Sequence, residues 1–198
     1  MDEVDRNKRK FLIATTTVIG GAGLAAAAIP FLHSLSPGAR TKAGGGPVQV
    51  DISKLEPGQQ LTIVWRNKPV WVLRRSHEIL GKLEEEKLRN KLRDPDSQKE
   101  KQQPMYARNM FRSINPEYLV VIGICTHLGC VPTFRPELAP VDLGDDWPGG
   151  YFCPCHGSRF DLAGRVFKNV PAPTNLVVPS YRYLSEKIIE IGVDTKTS

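Results

Sequence analysis

The chain carries two short boxes about two-thirds of the way along its 198 residues, CTHLGC at positions 125–130 and CPCHGS at positions 153–158. Together they hold all four cysteines and two of the four histidines. Each box places a Cys and a His at ligand spacing, as C-x-H and then as C-x-x-H, and adds one further Cys. Thiolates and imidazoles bind soft and borderline metals. The boxes therefore predict a metal centre together with a covalent link.

Two simpler interpretations compete with a cluster. A single zinc ion would accept two Cys and two His ligands, but zinc fingers pair like with like, whereas each box here contributes one of each. A pair of structural disulfides would leave the repeated Cys–His association unexplained. The mixed pairing instead suits a two-iron cluster with thiolates on one iron and imidazoles on the other.

Both boxes match in full the Rieske [2Fe-2S] signature, and the chain resembles the bacterial Rieske iron–sulfur subunits of ubiquinol–cytochrome c reductase, the respiratory cytochrome bc complex. The resemblance covers nearly the whole chain. It implies one cluster per subunit with four ligands, the thiolates on the inner iron and the imidazoles on the outer one: Cys125, Cys153, His127 and His156. It further implies that Cys130 and Cys155 form a disulfide between the two loops, which requires an oxidising compartment.

The resemblance also assigns residues around the cluster. It implies five tuning positions: Leu128, Gly129, Gly157, Ser158 and Phe160. Ser158 matches the residue whose hydroxyl bonds a bridging sulfide, while Phe160 replaces a Tyr that donates to a ligand thiolate in the family. The loss of that donor predicts a lower potential than in the members that carry Tyr. Pro171-Ala172-Pro173 would form, with Leu128 and Gly129, an apolar tip that docks on cytochrome b.

The function implied by the resemblance is quinol oxidation within a complex. His156 would contact the quinol, and the cluster would take one electron and one proton and pass the electron to cytochrome c1, contributing to proton translocation. The chain would then be an oxidoreductase only together with cytochrome b and cytochrome c1, in a dimeric complex. An alternative is the small Rieske relay subunit of a periplasmic molybdenum oxidase of the arsenite oxidase type.

The N-terminal segment predicts a membrane anchor. Phe11 to Leu35 contains no Asp, Glu, Lys or Arg, and 25 residues at ~1.5 Å rise suffice to cross a bilayer. The basic residues within 1–10 predict a cytoplasmic N-terminus, so the domain would be periplasmic on a single-pass subunit of a bacterial inner membrane. Lys8 to Leu12 (KRKFL) resembles a twin-arginine export signal with Lys in the first arginine's place. A cleaved signal peptide, with the small-residue site at Ala26 to Ala28, is the alternative.

The remaining pattern predicts a mainly β protein: a small antiparallel Rieske domain with one helical insertion. Residues 36–47 (SPGARTKAGGGP) are a linker by composition, and the resemblance makes them a flexible hinge. The domain spans 48–198, with the cluster-binding part at about 120–175. His77 to Arg93 shows near-helical leucine spacing, with Glu85 and Arg89 as an expected ion pair. Strands are expected at 48–52, 61–65, 69–74, 118–124, 159–161, 165–167, 176–178 and 188–191. The stretch 132–150, which contains several prolines and glycines, is expected to be mostly loop.

The charge pattern argues against a nucleic-acid partner. The net charge is +6, and half of this excess precedes Pro47, where six Lys and Arg residues face three acidic ones. The domain itself shows no basic run with interleaved aromatics, which is the pattern expected of a nucleic-acid-binding surface.

Overall fold

The computed structural model of the chain describes residues 5–36 and 45–193. Two compact units divide the chain between Ala43 and Gly44. Most of the predicted linker, residues 37–44, lies outside the described residues, so its role as a hinge stays a prediction.

The described part of the first unit is dominated by one long helix, α1 (Arg6–Ser34), whose 29 residues would extend about 43 Å. Asp5 caps its N-terminus because its carboxylate accepts the N–H groups of Asn7 and Lys8. This cap starts the helix five residues before the apolar stretch, so the basic residues form its first turns. By length and composition α1 can cross a membrane.

The second unit is built on three antiparallel sheets of three strands each. Their orders are β1–β9–β8, β2–β3–β4 and β5–β6–β7. The strands are β1 (Val48–Asp51), β2 (Gln60–Trp65), β3 (Lys68–Arg74), β4 (Tyr118–Ile122), β5 (Thr133–Arg135), β6 (Gly150–Cys153), β7 (Ser158–Phe160), β8 (Tyr181–Ser185) and β9 (Ile188–Ile191). The predicted fold class, mainly antiparallel β with an apolar N-terminal helix, is confirmed.

The helical insertion is present but broken. It forms α2 (His77–Glu84) and α3 (Glu86–Arg89), interrupted at Glu85, whose ψ of 128° leaves the helical region. The expected Glu85–Arg89 pair is therefore wrong: Arg89 instead pairs with Asp96 at 2.9 Å. Of the leucines that gave the periodicity, those at positions 83, 88 and 92 are buried and Leu80 is half-buried, so the pattern correctly predicted a face that packs on the core.

The strand predictions differ from the structure mainly in the irregular regions. β8 was not expected, and β5 lies in a stretch expected to be mostly loop. The strand expected at 176–178 is absent, because its backbone bonds go to three separate segments: Leu176 to Gly164, Val177 to Ile122 and Val178 to Gln102. Residues 165–167 contribute only isolated bridges, between Phe160 and Val166 and between Leu92 and Phe167.

Buried arginines fix the turn that follows the second box. Arg112 donates through Nη1 to the carbonyls of Ala163 and Gly164, both at 3.2 Å, and through Nη2 to that of Leu176 at 2.6 Å. Within the same turn, Asp161 accepts Nε of Arg165 at 2.7 Å, with both side chains almost fully buried. Since buried charges are costly unless paired and hydrogen-bonded, this network holds residues 161–165 in one conformation.

Candidate metal centre

The first box is a tight loop at the end of β4. The N–H of Cys125 donates to the carbonyl of Cys130 at 2.7 Å, and the N–H of Gly129 donates back to the carbonyl of Cys125 at 3.0 Å. Gly129 has φ of 87°, a left-handed conformation that glycine adopts without steric cost. The loop therefore turns sharply enough to point several side chains toward one side.

The second box connects β6 to β7 as a hairpin loop. Cys153 ends β6 and Ser158 begins β7, and these residues are paired across the hairpin. The N–H of Gly157 donates to the carbonyl of Cys153 at 2.9 Å, and Gly157 has φ of 74°. Both boxes thus use a glycine in the left-handed region to close a loop around a cysteine.

The two loops bring four potential ligands together. Cys125 and Cys153 are free thiols, 2% and 1% exposed, close enough for a side-chain hydrogen bond. The rings of His127 and His156 lie with centroids 4.7 Å apart and almost perpendicular. His127 is half-buried and His156 is exposed. The sulfur donors therefore sit inside and the nitrogen donors outside.

The spare cysteines form a disulfide between the loops. Cys130 and Cys155 are bonded, with Cα atoms 6.7 Å apart and a sequence separation of 25. Their sulfurs and that of Cys153 lie within 4.8 Å of one another. Because disulfide sulfurs are not available as thiolates, this group of three is not itself a metal site. It places the covalent link directly beside a ligand thiol.

The donor set fits a cluster with a soft, positively charged metal. Burial raises the pKa of the Cys153 thiol above its ordinary value, and the neighbouring Cys125 raises it further. The N–H groups of Cys155 and His156 act in the opposite direction by hydrogen bonding to the sulfur. Two adjacent buried thiols resist joint ionisation unless a cation compensates their charge. The residues present would therefore hold the cluster that the boxes predict.

Two hydroxyls tie the proline segment to both boxes. Ser158 is fully buried, and its Oγ accepts the N–H of Ala172 at 3.0 Å, which leaves its own O–H free to donate elsewhere. Thr126 donates through Oγ1 to the carbonyl of Thr174 at 2.7 Å. Sequence reasoning missed Thr126, although its place between two ligands was a signal.

The other predicted site residues separate into buried and exposed groups. Phe160 is fully buried, opposite Tyr151 across the β6–β7 pair. Leu128 is 72% exposed at the tip of the first loop. Pro171 and Pro173 are exposed, but Ala172 between them is fully buried. An apolar tip could thus be formed by Leu128 and the two prolines, without the Ala172 side chain.

Comparison with known proteins supplies the assignment. Residues 48–182 match the family model described as "Rieske [2Fe-2S] domain", which contains both boxes. The chain belongs to the Rieske [2Fe-2S] domain family. Rieske domains carry a [2Fe-2S] cluster, so the predicted cofactor is confirmed, and the zinc interpretation finds no support.

The sequence similarity of this chain to known proteins extends beyond its Rieske domain. It is 58% identical over 191 residues to the "Ubiquinol-cytochrome c reductase iron-sulfur subunit" of Allochromatium vinosum, covering 96% of this chain and 91% of that protein. The protein of the same name from Blastochloris viridis is 40% identical, with 96% of each chain covered. Residues 1–38 match a model described as "Ubiquitinol-cytochrome C reductase Fe-S subunit TAT signal".

A solved structure described as "Hyperthermophilic respiratory Complex III" is also similar to the chain. It has a TM-score of 0.47 and 22% identity, and the match covers 91% of this chain and 98% of that one. The assignment to the Rieske family rests on the sequence matches.

Proposed function

We propose that this chain is the iron–sulfur subunit of a ubiquinol–cytochrome c reductase, which passes electrons from quinol to cytochrome c1 and contributes to proton translocation. The observation that carries the proposal is the arrangement of the four donors, with buried thiols behind and an exposed imidazole in front. Two relatives that each match 96% of this chain bear that name. They give no support to the arsenite oxidase alternative.

The residues of the two boxes have distinct proposed roles. Cys125 and Cys153 would hold one iron of the cluster, and His127 and His156 would hold the other. The cluster, when bound, supplies one-electron redox chemistry in a potential range of about −150 to +300 mV. His156 is exposed, and its ring nitrogen not bound to iron would accept the hydrogen bond and the proton of a quinol hydroxyl. It is the proposed catalytic residue.

The exposed apolar residues near the boxes have a proposed role in docking. Leu128 and the two prolines are all exposed, and together they form the apolar surface proposed to dock on cytochrome b. Ser158 has its hydroxyl proton free for a sulfide of the cluster, because its oxygen already accepts a backbone N–H. The disulfide holds the two loops together while the domain exchanges partners.

The proposed topology places the Rieske domain outside the cytoplasm. α1 is the single membrane span, with the basic residues around Arg6 to Lys10 on the cytoplasmic side. The observed disulfide agrees with an oxidising compartment. The match to an export-signal model over residues 1–38 supports translocation, and retention of α1 gives a membrane-anchored subunit of a dimeric complex.

The function is tested in membranes of cells that produce the full chain with a purification tag. The complex should copurify with b-type haem, and it should reduce cytochrome c with quinol in a reaction that quinol-site inhibitors block. His156→Gln should abolish this activity, while His77→Gln, at an exposed position on α2, should leave it unchanged. Copurification with a molybdenum subunit and no b-type haem would contradict the proposal.

A further inference from the structure

An aromatic pair lies between the two sheets that deliver the cysteines. Trp71 on β3 and Tyr151 on β6 stack with ring centroids 4.7 Å apart and an interplanar angle of 8°. The indole is 4% exposed and the phenol is fully buried. Neither residue belongs to a box, yet Tyr151 stands two positions before Cys153 on the same strand.

The other face of Trp71 meets the approach to the first box. Gly123 lies between the end of β4 and Cys125, and its N–H donates to the carbonyl of Pro69 at 2.8 Å. A Cβ added at Gly123 would overlap the indole, with three ring carbons no more than 2.8 Å away. Real Cβ atoms do not approach this closely. The indole therefore packs flat on the backbone two residues before the first ligand.

These contacts form one continuous stack from one box to the other. Its layers are the backbone at Gly123, the indole of Trp71 and the phenol of Tyr151, and each outer layer lies two residues before a free thiol. Stacked rings resist compression, since protein interiors are close-packed. The thickness of the indole thus enters directly into the distance between the backbones that carry Cys125 and Cys153.

The geometry points to Trp71 and Tyr151 as positioning residues that set the separation of the two thiolates that hold the cluster. Both act through backbone, Trp71 through Gly123 and Tyr151 through β6. The inference rests on the family's cluster and goes beyond the proposed role in quinol oxidation, because it holds for any reaction that the loaded domain performs.

The Tyr151 hydroxyl supplies a matched control. It is buried and has no hydrogen-bond partner within the described residues. The ring alone therefore performs the positioning, and Tyr151→Phe should keep it while removing an unsatisfied polar group. A buried hydroxyl without a partner is destabilising, so this variant should be at least as stable as the unmodified chain.

The test uses the full chain purified in detergent, with three readouts: the rate of iron loss to a chelator, the g-values of the reduced protein in electron paramagnetic resonance (EPR) and the midpoint of denaturant unfolding. Trp71→Leu should lose iron about tenfold faster, the fold-change equivalent to the upper range for an aromatic pair, and should shift the g-values. Tyr151→Phe should match the unmodified chain in the rate of iron loss and in the g-values. Ile189→Ala, a cavity in the β1–β9–β8 sheet, should lower only the unfolding midpoint.

A second pair of variants tests the positioning role of Trp71 if Trp71→Leu does not fold. Gly123→Ala pushes a Cβ into the indole and should shift the g-values, while Gly123→Ala combined with Trp71→Phe should restore them because a smaller ring makes room. Unaltered g-values and iron loss in Trp71→Leu or Gly123→Ala would overturn the inference, as would an equal effect of Tyr151→Phe. An unmodified chain that shows the EPR signal but no quinol oxidation would refute only the proposed function.

Discussion

The cysteines and the exposed histidine of the site differ in solvent exposure, and this difference matches the tasks proposed for them. The thiols of Cys125 and Cys153 are almost inaccessible, whereas the imidazole of His156 is exposed. An iron held by the thiols is shielded from solvent, and an iron held by the imidazoles is linked through them to the surface. This asymmetry at the residue scale allows one side chain to serve both as a ligand and as the proposed contact with the quinol.

Phe160 is the residue whose replacement should change the potential most predictably. It is fully buried in β7, and the resemblance to the family predicts that a Tyr at this position would donate to a ligand thiolate. Phe160→Tyr should raise the midpoint potential on the order of 60 mV, the one-electron equivalent of a hydrogen bond to a charged group. A redox titration followed by EPR measures this, and an unchanged potential would remove Phe160 from the account of tuning.

Asp161 should be the most costly carboxylate to neutralise among the described residues. It is 1% exposed, and it accepts the guanidinium of Arg165 and the N–H groups of Ala163 and Arg165. Asp161→Asn keeps an acceptor for the turn but leaves a buried cation unpaired, so it should cost about 3–5 kcal/mol of unfolding free energy. Denaturant unfolding measures this. Asp142→Asn, at an exposed pair, should cost far less, and equal losses would contradict the argument.

At the scale of elements, the sequence predicted best where one residue pattern sufficed. The alternation of β1 and the apolar runs of β3 and β4 were located within a residue or two, because each buries a face through its own side chains. β5 was missed because its three residues form a strand only by pairing with β6. The segment 176–178 has strand composition, yet its hydrogen bonds are divided among three distant partners. Such partners are set by tertiary structure.

The candidate site followed the same rule. The resemblance of the two boxes to the Rieske signature predicted the Cys130–Cys155 disulfide, which the structure contains, and the four donors that the two loops bring together. The Trp71–Tyr151 stack was not predicted, because Trp71 stands 54 residues before Cys125 and nothing in the spacing links the two. Gly123 could have given a signal, since a glycine inside an apolar run is typical of a close approach.

The loop between β5 and β6 should respond to acid. Arg135 donates to Glu137 and Asp142, and these hydrogen bonds lower the pKa of both carboxyls from their ordinary values of 4.5 and 3.8. The unfolded chain binds more protons in this range, so the stabilisation is present above these values and is lost as the pH falls through the lower folded ones. Thermal unfolding below about pH 5 should show a shallower decline for Arg135→Gln. Parallel curves would contradict the assignment.

At the scale of the whole molecule, the connection between α1 and the domain should govern the rate of turnover with quinol and cytochrome c. Where the described residues resume, Trp65 Nε1 donates to the carbonyl of Gly46 at 3.1 Å and Arg66 Nε to that of Gly45 at 3.4 Å. One side chain of the domain thus contacts each of these two carbonyls, where the connection joins the domain. Any swing between the quinol site and cytochrome c1 depends on the freedom of the glycine run at this junction.

Proline substitution tests that dependence. Changing Gly44, Gly45 and Gly46 to Pro stiffens the chain but keeps both carbonyls that Trp65 and Arg66 bind. Turnover with quinol and cytochrome c should fall, while the EPR spectrum of the cluster should stay unchanged. An equivalent triple change to Ala serves as the control. Full turnover in the proline variant would remove the case for a hinge.

The account depends on one cluster held by two buried thiolates and two outward imidazoles. EPR of the full chain, reduced with dithionite and measured at low temperature, tests it most directly. We expect a rhombic signal with an average g below the free-electron value, and its loss in Cys125→Ser but not in His77→Gln. A protein that binds zinc with no such signal, or an unchanged signal in Cys125→Ser, would contradict the account.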